Sequence, residues 1–209
     1  MRGLFIALEG VEGAGKSTQV RLLEHWLRDR GLDPVVTREP GGTHVGERAR
    51  AILLDSEHVS PETELLLMLA ARSALAGDVV RPALEAGRVV VTDRFALSTL
   101  AYQAYGRGLP LDVVRAMNDF ATGGLAPDVT VLLDVDPSVG MGRRRGGGRD
   151  RIERAGAAFH ERVAEAYRLL AGQDERIERV DGAASPGEVH RRVVAALEAR
   201  FPETFAAPE

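Results

Sequence analysis

Gly10-Val11-Glu12-Gly13-Ala14-Gly15-Lys16-Ser17-Thr18 is the stretch from which the fold of this chain is read. It fits the pattern G-x-x-x-x-G-K-[ST], with Gly10, Gly15, Lys16 and Ser17 on the fixed positions. Backbone N–H groups must wrap phosphate oxygens closely, so residues without bulk are needed where the chain approaches them. Lys16 then reaches the outer phosphates, and the Ser17 hydroxyl can ligate a Mg²⁺ that bridges them. Leu4 to Leu8 reads as a buried strand just before the loop. Val20, Leu22, Leu23, Trp26 and Leu27 follow it at helical spacing. Strand, glycine loop and helix in this order predict a nucleotide site; a plain connecting turn does not account for the Lys-Ser pair.

Working outward, Pro34 to Thr37 reads as a second strand and Val45 to about Leu54 as a helix carrying Arg48 and Arg50. Ser60-Pro61 opens another helix, with a capping hydroxyl and a proline in its first turn. Its apolar segment, Leu65 to Leu75, holds one strong charge, Arg72. Arg88 to Arg94 is a buried strand that ends abruptly in charge. Ligands gather beyond the carboxyl ends of parallel strands, which puts Asp93 and Arg94 at a phosphate site. Leu111 to Phe120 reads as helix, Val129 to Asp134 as strand, Ala157 to Leu170 as helix and Arg176 to Val180 as the last strand. Ser185-Pro186-Gly187-Glu188 has capping-box spacing and opens a final helix to about Arg200. Alternating strands and helices predict an α/β fold, a doubly wound parallel sheet flanked by helices, of the P-loop NTPase type.

Composition sets limits on function. The 209 residues suit one domain, and 44% hydrophobic with 28% charged residues is ordinary for a globular protein. A net charge of −4 argues against a large nucleic-acid face. With no cysteine, disulfides and thiolate chemistry are excluded, and the five histidines show no close ligand spacing. No apolar run approaches a membrane span, and the chain starts directly with a strand, so a cytoplasmic enzyme is expected. Arg143, Arg144, Arg145, Arg149 and Arg151 cluster around Gly146 to Gly148. Arginines alone fit a solvated helix end; divided by three glycines, they suit a small mobile lid over roughly 142–155.

Over nearly its whole length the sequence resembles the bacterial thymidylate kinases. Besides the glycine loop, the resemblance is carried by Thr37-Arg38-Glu39-Pro40-Gly41-Gly42-Thr43, Asp93-Arg94-Phe95 and Ser98-Thr99-Leu100-Ala101-Tyr102-Gln103. Gly106-Arg107-Gly108-Leu109 and Asp150-Arg151-Ile152-Glu153 extend it. It implies transfer of the ATP γ-phosphoryl group to dTMP. It makes Gly10 to Thr18 the ATP cradle, aided by Arg143 and Arg145, and makes Ser17 and Asp93 the residues that act on Mg²⁺. Glu12, Lys16, Asp93 and Arg94 become catalytic, with Glu12 near the acceptor. In a homologous type the loop supplies a catalytic arginine where this chain has Gly13. The cation must then come from the lid, with Arg143, Arg145, Arg149 and Arg151 as candidates and Arg149 and Arg151 nearest the hinge side of the glycines.

For the acceptor, the resemblance implies Arg50 and Arg94 on the dTMP phosphate and Glu39-Pro40, often a cis peptide in the family, facing the sugar-phosphate. Arg72, Thr99 and Gln103 would take the base edge, with Tyr102 beside the deoxyribose. Arg38 either joins the phosphate site or braces the turn after it. Met68 stands where the family usually stacks a phenylalanine on thymine. Backbone near Asp181 to Ala183 would meet adenine. A homodimer is expected, with no nucleic-acid or membrane partner. A kinase for another nucleoside monophosphate, or a nucleotide-dependent switch, remains the competing reading.

Overall fold

The structure is a computed structural model that describes residues 2–143, 151, 152 and 154–205. Its centre is β1 (Phe5–Glu9), followed by α1 (Lys16–Asp29), β2 (Val35–Arg38), α2 (His44–Asp55) and α3 (Pro61–Leu75). A π turn, Ala76–Val80, carries α3 into α4 (Arg81–Glu85), and β3 (Val90–Asp93) follows. Next come α5 (Ala96–Thr99), a second π segment Leu100–Gly106, α6 (Leu111–Thr122) and β4 (Val129–Asp134). The described chain continues with α7 (Pro137–Arg143), α8 (Ala157–Ala171), β5 (Ile177–Asp181), α9 (Pro186–Arg200) and α10 (Pro202–Phe205).

All strand pairs are parallel, in the order β2-β3-β1-β4-β5. The chain leaves β1 for one half of the sheet, then crosses to the other half through β4. That reversal opens a crevice at the carboxyl end of β1, where the glycine loop begins. Side-chain alternation along β1 explains its uninterrupted apolar run. Phe5 and Ala7 point to one face, packing with Leu75, Val80, Val90 and Phe95. Ile6 and Leu8 point to the other, among Leu23, Leu27, Val131, Val163 and Val193. A third cluster, Leu65, Leu69, Ala104 and Val114, joins α3 to α6 and the second π segment.

Local chemistry sets several helix starts. Thr43, Ser60 and Ser185 each accept a backbone N–H three residues on, from Gly46, Thr63 and Glu188, and so cap α2, α3 and α9. Strand β3 stops at Asp93 rather than reaching Arg94, because Arg94 turns into the left-handed region with φ 75°. Neither π segment was read from the sequence, since their composition matches ordinary helix. Among the described residues no helix is long and apolar enough to cross a membrane.

Candidate active site

A cleft of about 700 Å³ lies beyond the carboxyl ends of β1 and β3, a size that suits a small-molecule site. Glu12 to Thr18 line one arm; Glu39, Pro40, Arg50, Met68, Tyr102 and Gln103 line the other, with Asp93 and Arg94 on the wall between. The first turn of α1 begins at Lys16 behind Gly15, with no side-chain cap and no acidic residue. Its N–H groups have no intrahelical acceptors, and the helix dipole adds partial positive charge. This is an anion site made by backbone.

The loop's geometry depends on glycine at two places. Gly10 has φ 142°, and a Cβ there would meet the Leu133 carbonyl oxygen at 2.6 Å. Gly13 has φ 73°, and a Cβ there would sit 2.0 Å from the Gly140 carbonyl oxygen on α7. A Cβ on Gly140 would in turn meet the Glu12 carbonyl oxygen at 2.3 Å. The loop and α7 are therefore in backbone-to-backbone contact.

Lys16 is buried, and its Nζ donates to the Gly10 and Val11 carbonyl oxygens at 3.1 and 2.9 Å. Burial and the Arg94 charge bring its pKa down to about 8, against the pull of Glu12, Asp93 and Glu9. Ser17 Oγ donates to Asp93 Oδ2 at 2.7 Å, so a hydroxyl and a carboxylate meet on the cleft wall.

Arg94 holds its left-handed backbone because its surroundings fix it. Its N–H donates to the Leu8 carbonyl, and Thr92 Oγ1 donates to its carbonyl. The next N–H, of Phe95, donates to Glu9 Oε1 at 2.8 Å. Such strain costs on the order of 1–3 kcal/mol and persists only where contacts over-determine it. The guanidinium reaches Glu12 Oε1 at 2.5 Å and the Gly10 carbonyl at 3.1 Å, with the Tyr102 and Tyr167 hydroxyls beside it. Burial alone would lower its pKa, but Tyr102, Glu12, Tyr167 and Glu9 outweigh it and keep the cation charged. Glu9 is wholly buried and also accepts from the Ser98 N–H and hydroxyl and from Tyr167. The sequence reading gave Glu9 no role; its apolar strand setting before a glycine loop was the available signal.

On the acceptor arm the Glu39-Pro40 peptide is cis. Arg50 donates to the Pro40 carbonyl at 3.0 Å and lines the cleft. Arg38 braces the turn: both Glu47 carboxylate oxygens accept from its guanidinium, and Glu47 Oε1 also accepts the Gly42 N–H. That N–H bond, with Arg38 and Arg50 nearby, holds the Glu47 carboxyl below the usual range. Met68 is nearly buried on the cleft wall.

Two residues expected at the base edge, Arg72 and Thr99, are fully buried beside the cleft lining. Arg72 is fully buried and makes five hydrogen bonds: two to Glu39 Oε2 and one each to Thr99, Asn118 and the Phe95 carbonyl. A guanidinium has five N–H groups, so a base carbonyl would have to displace one of these partners. Thr99 is equally buried and accepts from Arg72 at 2.7 Å. Burial pushes the Glu39 carboxyl up despite Arg72, and Glu39 Oε1 has no protein partner.

Arg143 leans across the far end of the cleft, donating to the Gly182 and Ala183 carbonyls, which is the stretch expected near adenine. Arg151, a candidate for the transferred group, is paired here with Glu64 Oε2 at 2.5 Å, since that buried carboxylate offers it an acceptor. Arg145 and Arg149 lie outside the described residues, as does much of the segment read as a lid.

This geometry can be set beside that of known proteins. The family model described as "Thymidylate kinase" matches residues 8–193. A thymidylate kinase of a Synechococcus species is 47% identical over 207 residues, covering 99% of this chain and 100% of its own. One from Caldanaerobacter subterraneus subsp. tengcongensis is 46% identical over 200 residues, covering 95% and 96%. The crystal structure of thymidylate kinase from Ehrlichia chaffeensis superposes with a TM-score of 0.80 at 28% identity, covering 94% of this chain and 100% of that one.

Proposed function

Since the chain belongs to the thymidylate kinase family, we propose that its cleft holds ATP on the arm of the glycine loop and dTMP on the arm of Arg50 and Gln103. The reaction is transfer of the ATP γ-phosphoryl group to dTMP, giving dTDP and ADP for nucleotide biosynthesis. The observation that carries the assignment of the two arms is the single cleft that joins the uncapped start of α1 to Arg50, Arg94 and Gln103.

In this mechanism the α1 amides and Lys16 take the donor phosphates. Lys16 exchanges two loop carbonyls for phosphate oxygens, which its buried, charged amine favours strongly in low dielectric. Arg50 and Arg94 hold the dTMP phosphate, whose dianion two planar guanidinium forks fit better than ammonium groups. An oxygen of that phosphate attacks the γ-phosphorus, the β–γ bridging bond breaks, and ADP leaves. Glu12 keeps Arg94 aligned while facing the acceptor. Most of the catalysis is positioning and charge stabilisation, in which one well-placed arginine is worth roughly 10³ or more in rate. On this reading that cation belongs to the arginine-rich segment 142–155, a lid within one kinase domain, with Arg143 and Arg145 on the ATP side and Arg149 and Arg151 as the candidates.

Ser17 and Asp93 would hold Mg²⁺. Both are hard oxygen donors, and among the described residues no group of three or more His, Cys, Asp or Glu forms an all-protein cage. That suits an ion bound through one or two side chains plus phosphates and water. When bound, it would neutralise charge on the donor phosphates. A homodimer through α3 and α6 is proposed from their exposed Leu66, Val113 and Phe120, the last 91% exposed. A cytoplasmic location, with no nucleic-acid or membrane partner, completes the reading.

A coupled ADP-release assay with dTMP, dUMP, dCMP, AMP and GMP tests the acceptor. Preference for dTMP is expected. Preference for any base other than thymine or uracil refutes it, and ATP hydrolysis indifferent to every monophosphate would favour the switch reading.

A further inference from the structure

Glu64, in the first turn of α3, is fully buried and stands behind the acceptor arm rather than in it. Four donors from three residues, Gln103 inside one π segment, Arg107 at its end and Arg151 far along the chain, converge on its two oxygens. Oε1 accepts from Gln103 Nε2 at 2.8 Å and Arg107 Nε at 3.2 Å; Oε2 accepts from Arg107 at 3.0 Å and Arg151 at 2.5 Å. Burial by itself would raise its pKa, yet the bonds from Arg107, Gln103 and Arg151 outweigh it and hold the carboxyl low. A carboxylate in that state can only accept.

The consequence falls on Gln103. Its amide has one donating and one accepting end, and swapping them would bring two oxygens together at Glu64. Nε2 must therefore face Glu64, and Oε1 must face away. Gln103 is 2% exposed, it lines the cleft, and its Oε1 is buried without a hydrogen-bond partner. Buried acceptors left unmatched are rare, and one on a cleft wall marks the place of a ligand donor.

We infer that the carboxylate of Glu64 is a positioning residue that fixes the hydrogen-bond polarity of Gln103, and so selects a pyrimidine whose ring nitrogen carries a proton over one whose ring nitrogen bears a lone pair. Thymine and uracil present N3–H to Gln103 Oε1; cytosine presents an unprotonated N3 and meets acceptor with acceptor. The inference rests on the assignment of this arm to the acceptor nucleotide. Glu64 touches no substrate, and it acts through the side chain it orients.

Glu64→Gln tests it. The new amide can put its NH₂ where Oε1 was, releasing Gln103 to turn its own NH₂ toward the base. The ratio of kcat/KM for dTMP to that for dCMP should fall roughly tenfold, about what an unmade buried hydrogen bond is worth. In a Gln103→Ala background the same change should leave the ratio where it was. A folded Glu64→Gln protein with the wild-type ratio overturns the inference, as does an equal fall in the Gln103→Ala background. Should the unpaired arginines prevent folding, Glu64→Gln with Arg107→Met removes the excess charge and is read by the same ratio. On the unaltered protein, 3-deaza-dUMP, which has a ring C–H in place of N3–H, should bind at least ~5-fold more weakly than dUMP. Equal binding overturns the proposal. A wild-type preference for dCMP would instead sink the acceptor assignment itself, which keeps the two failures apart.

Discussion

Replacing Arg72 by methionine asks whether this arginine reads the base or holds the site together. The side chain is fully buried, its partner Glu39 is almost as buried, and their closest approach is 2.5 Å. Methionine fills similar space with no donor, so Glu39, Thr99, Asn118 and the Phe95 carbonyl all lose a bond. Removing one member of a buried ion pair costs about 3–5 kcal/mol, chiefly because the other charge is stranded. For a chain of this size that lowers Tm by roughly 6–20 °C. The loss should also depend on pH. Burial already pushes the Glu39 carboxyl above its ordinary 4.5, and without Arg72 nothing offsets it. A carboxyl raised in the folded state binds its proton more tightly there, so its contribution is present at low pH and is lost as pH rises through the folded value. Thermal melts of both proteins at pH 5 and pH 8 should show the larger deficit at pH 8. Kinetics should show kcat lowered along with a raised dTMP KM, as expected of a displaced Glu39-Pro40 turn. A variant melting within about 2 °C of wild type, with only the dTMP KM raised, would refute the bracing role and restore Arg72 as a direct donor to the base.

Lys16 is charged below pH 8 and neutral above it, so kcat/KM for ATP should decline above about pH 8. Lys16→Arg, lower in rate but permanently charged, should lack that limb; an unchanged limb would assign it to another group. Gly13→Arg should raise the ATP KM at least ~10-fold, because the backbone is left-handed and a Cβ would strike the Gly140 carbonyl. An ATP KM within twofold of wild type would show that α7 yields freely. Met68→Phe should lower the dTMP KM at unchanged kcat by adding ring stacking on the base; an unchanged or higher KM removes that argument.

Features written within a few residues of one another were the legible ones. The glycine loop, the caps at Ser60 and Ser185, and the apolar strand β1 each follow from neighbours in sequence. The Arg94 turn was half legible: the strand's charged end was plain, but its left-handed φ depends on Glu9, 86 positions from the Phe95 N–H it anchors. Glu64 was not legible at all, since Arg151 lies 87 residues from it and Gln103 39. Arg72 was noticed for its isolation among apolar residues, a signal that cannot separate a ligand donor from a buried strut. The π turns escaped because Ala76–Val80 and Leu100–Gly106 have the composition of α-helix.

The contact between Gly13 and Gly140 limits what the loop can carry. A kinase of the type that carries its catalytic arginine in the loop cannot be reached from this chain by changing Gly13 alone, since the new side chain would collide with α7 before it reached any phosphate. Nor does freeing Gly140 suffice, because its own missing Cβ is matched to the Glu12 carbonyl. The helix would have to be reseated before the substitution could be tolerated. The small residue in the glycine loop and the seat of α7 are thus one constraint, and neither can change without the other.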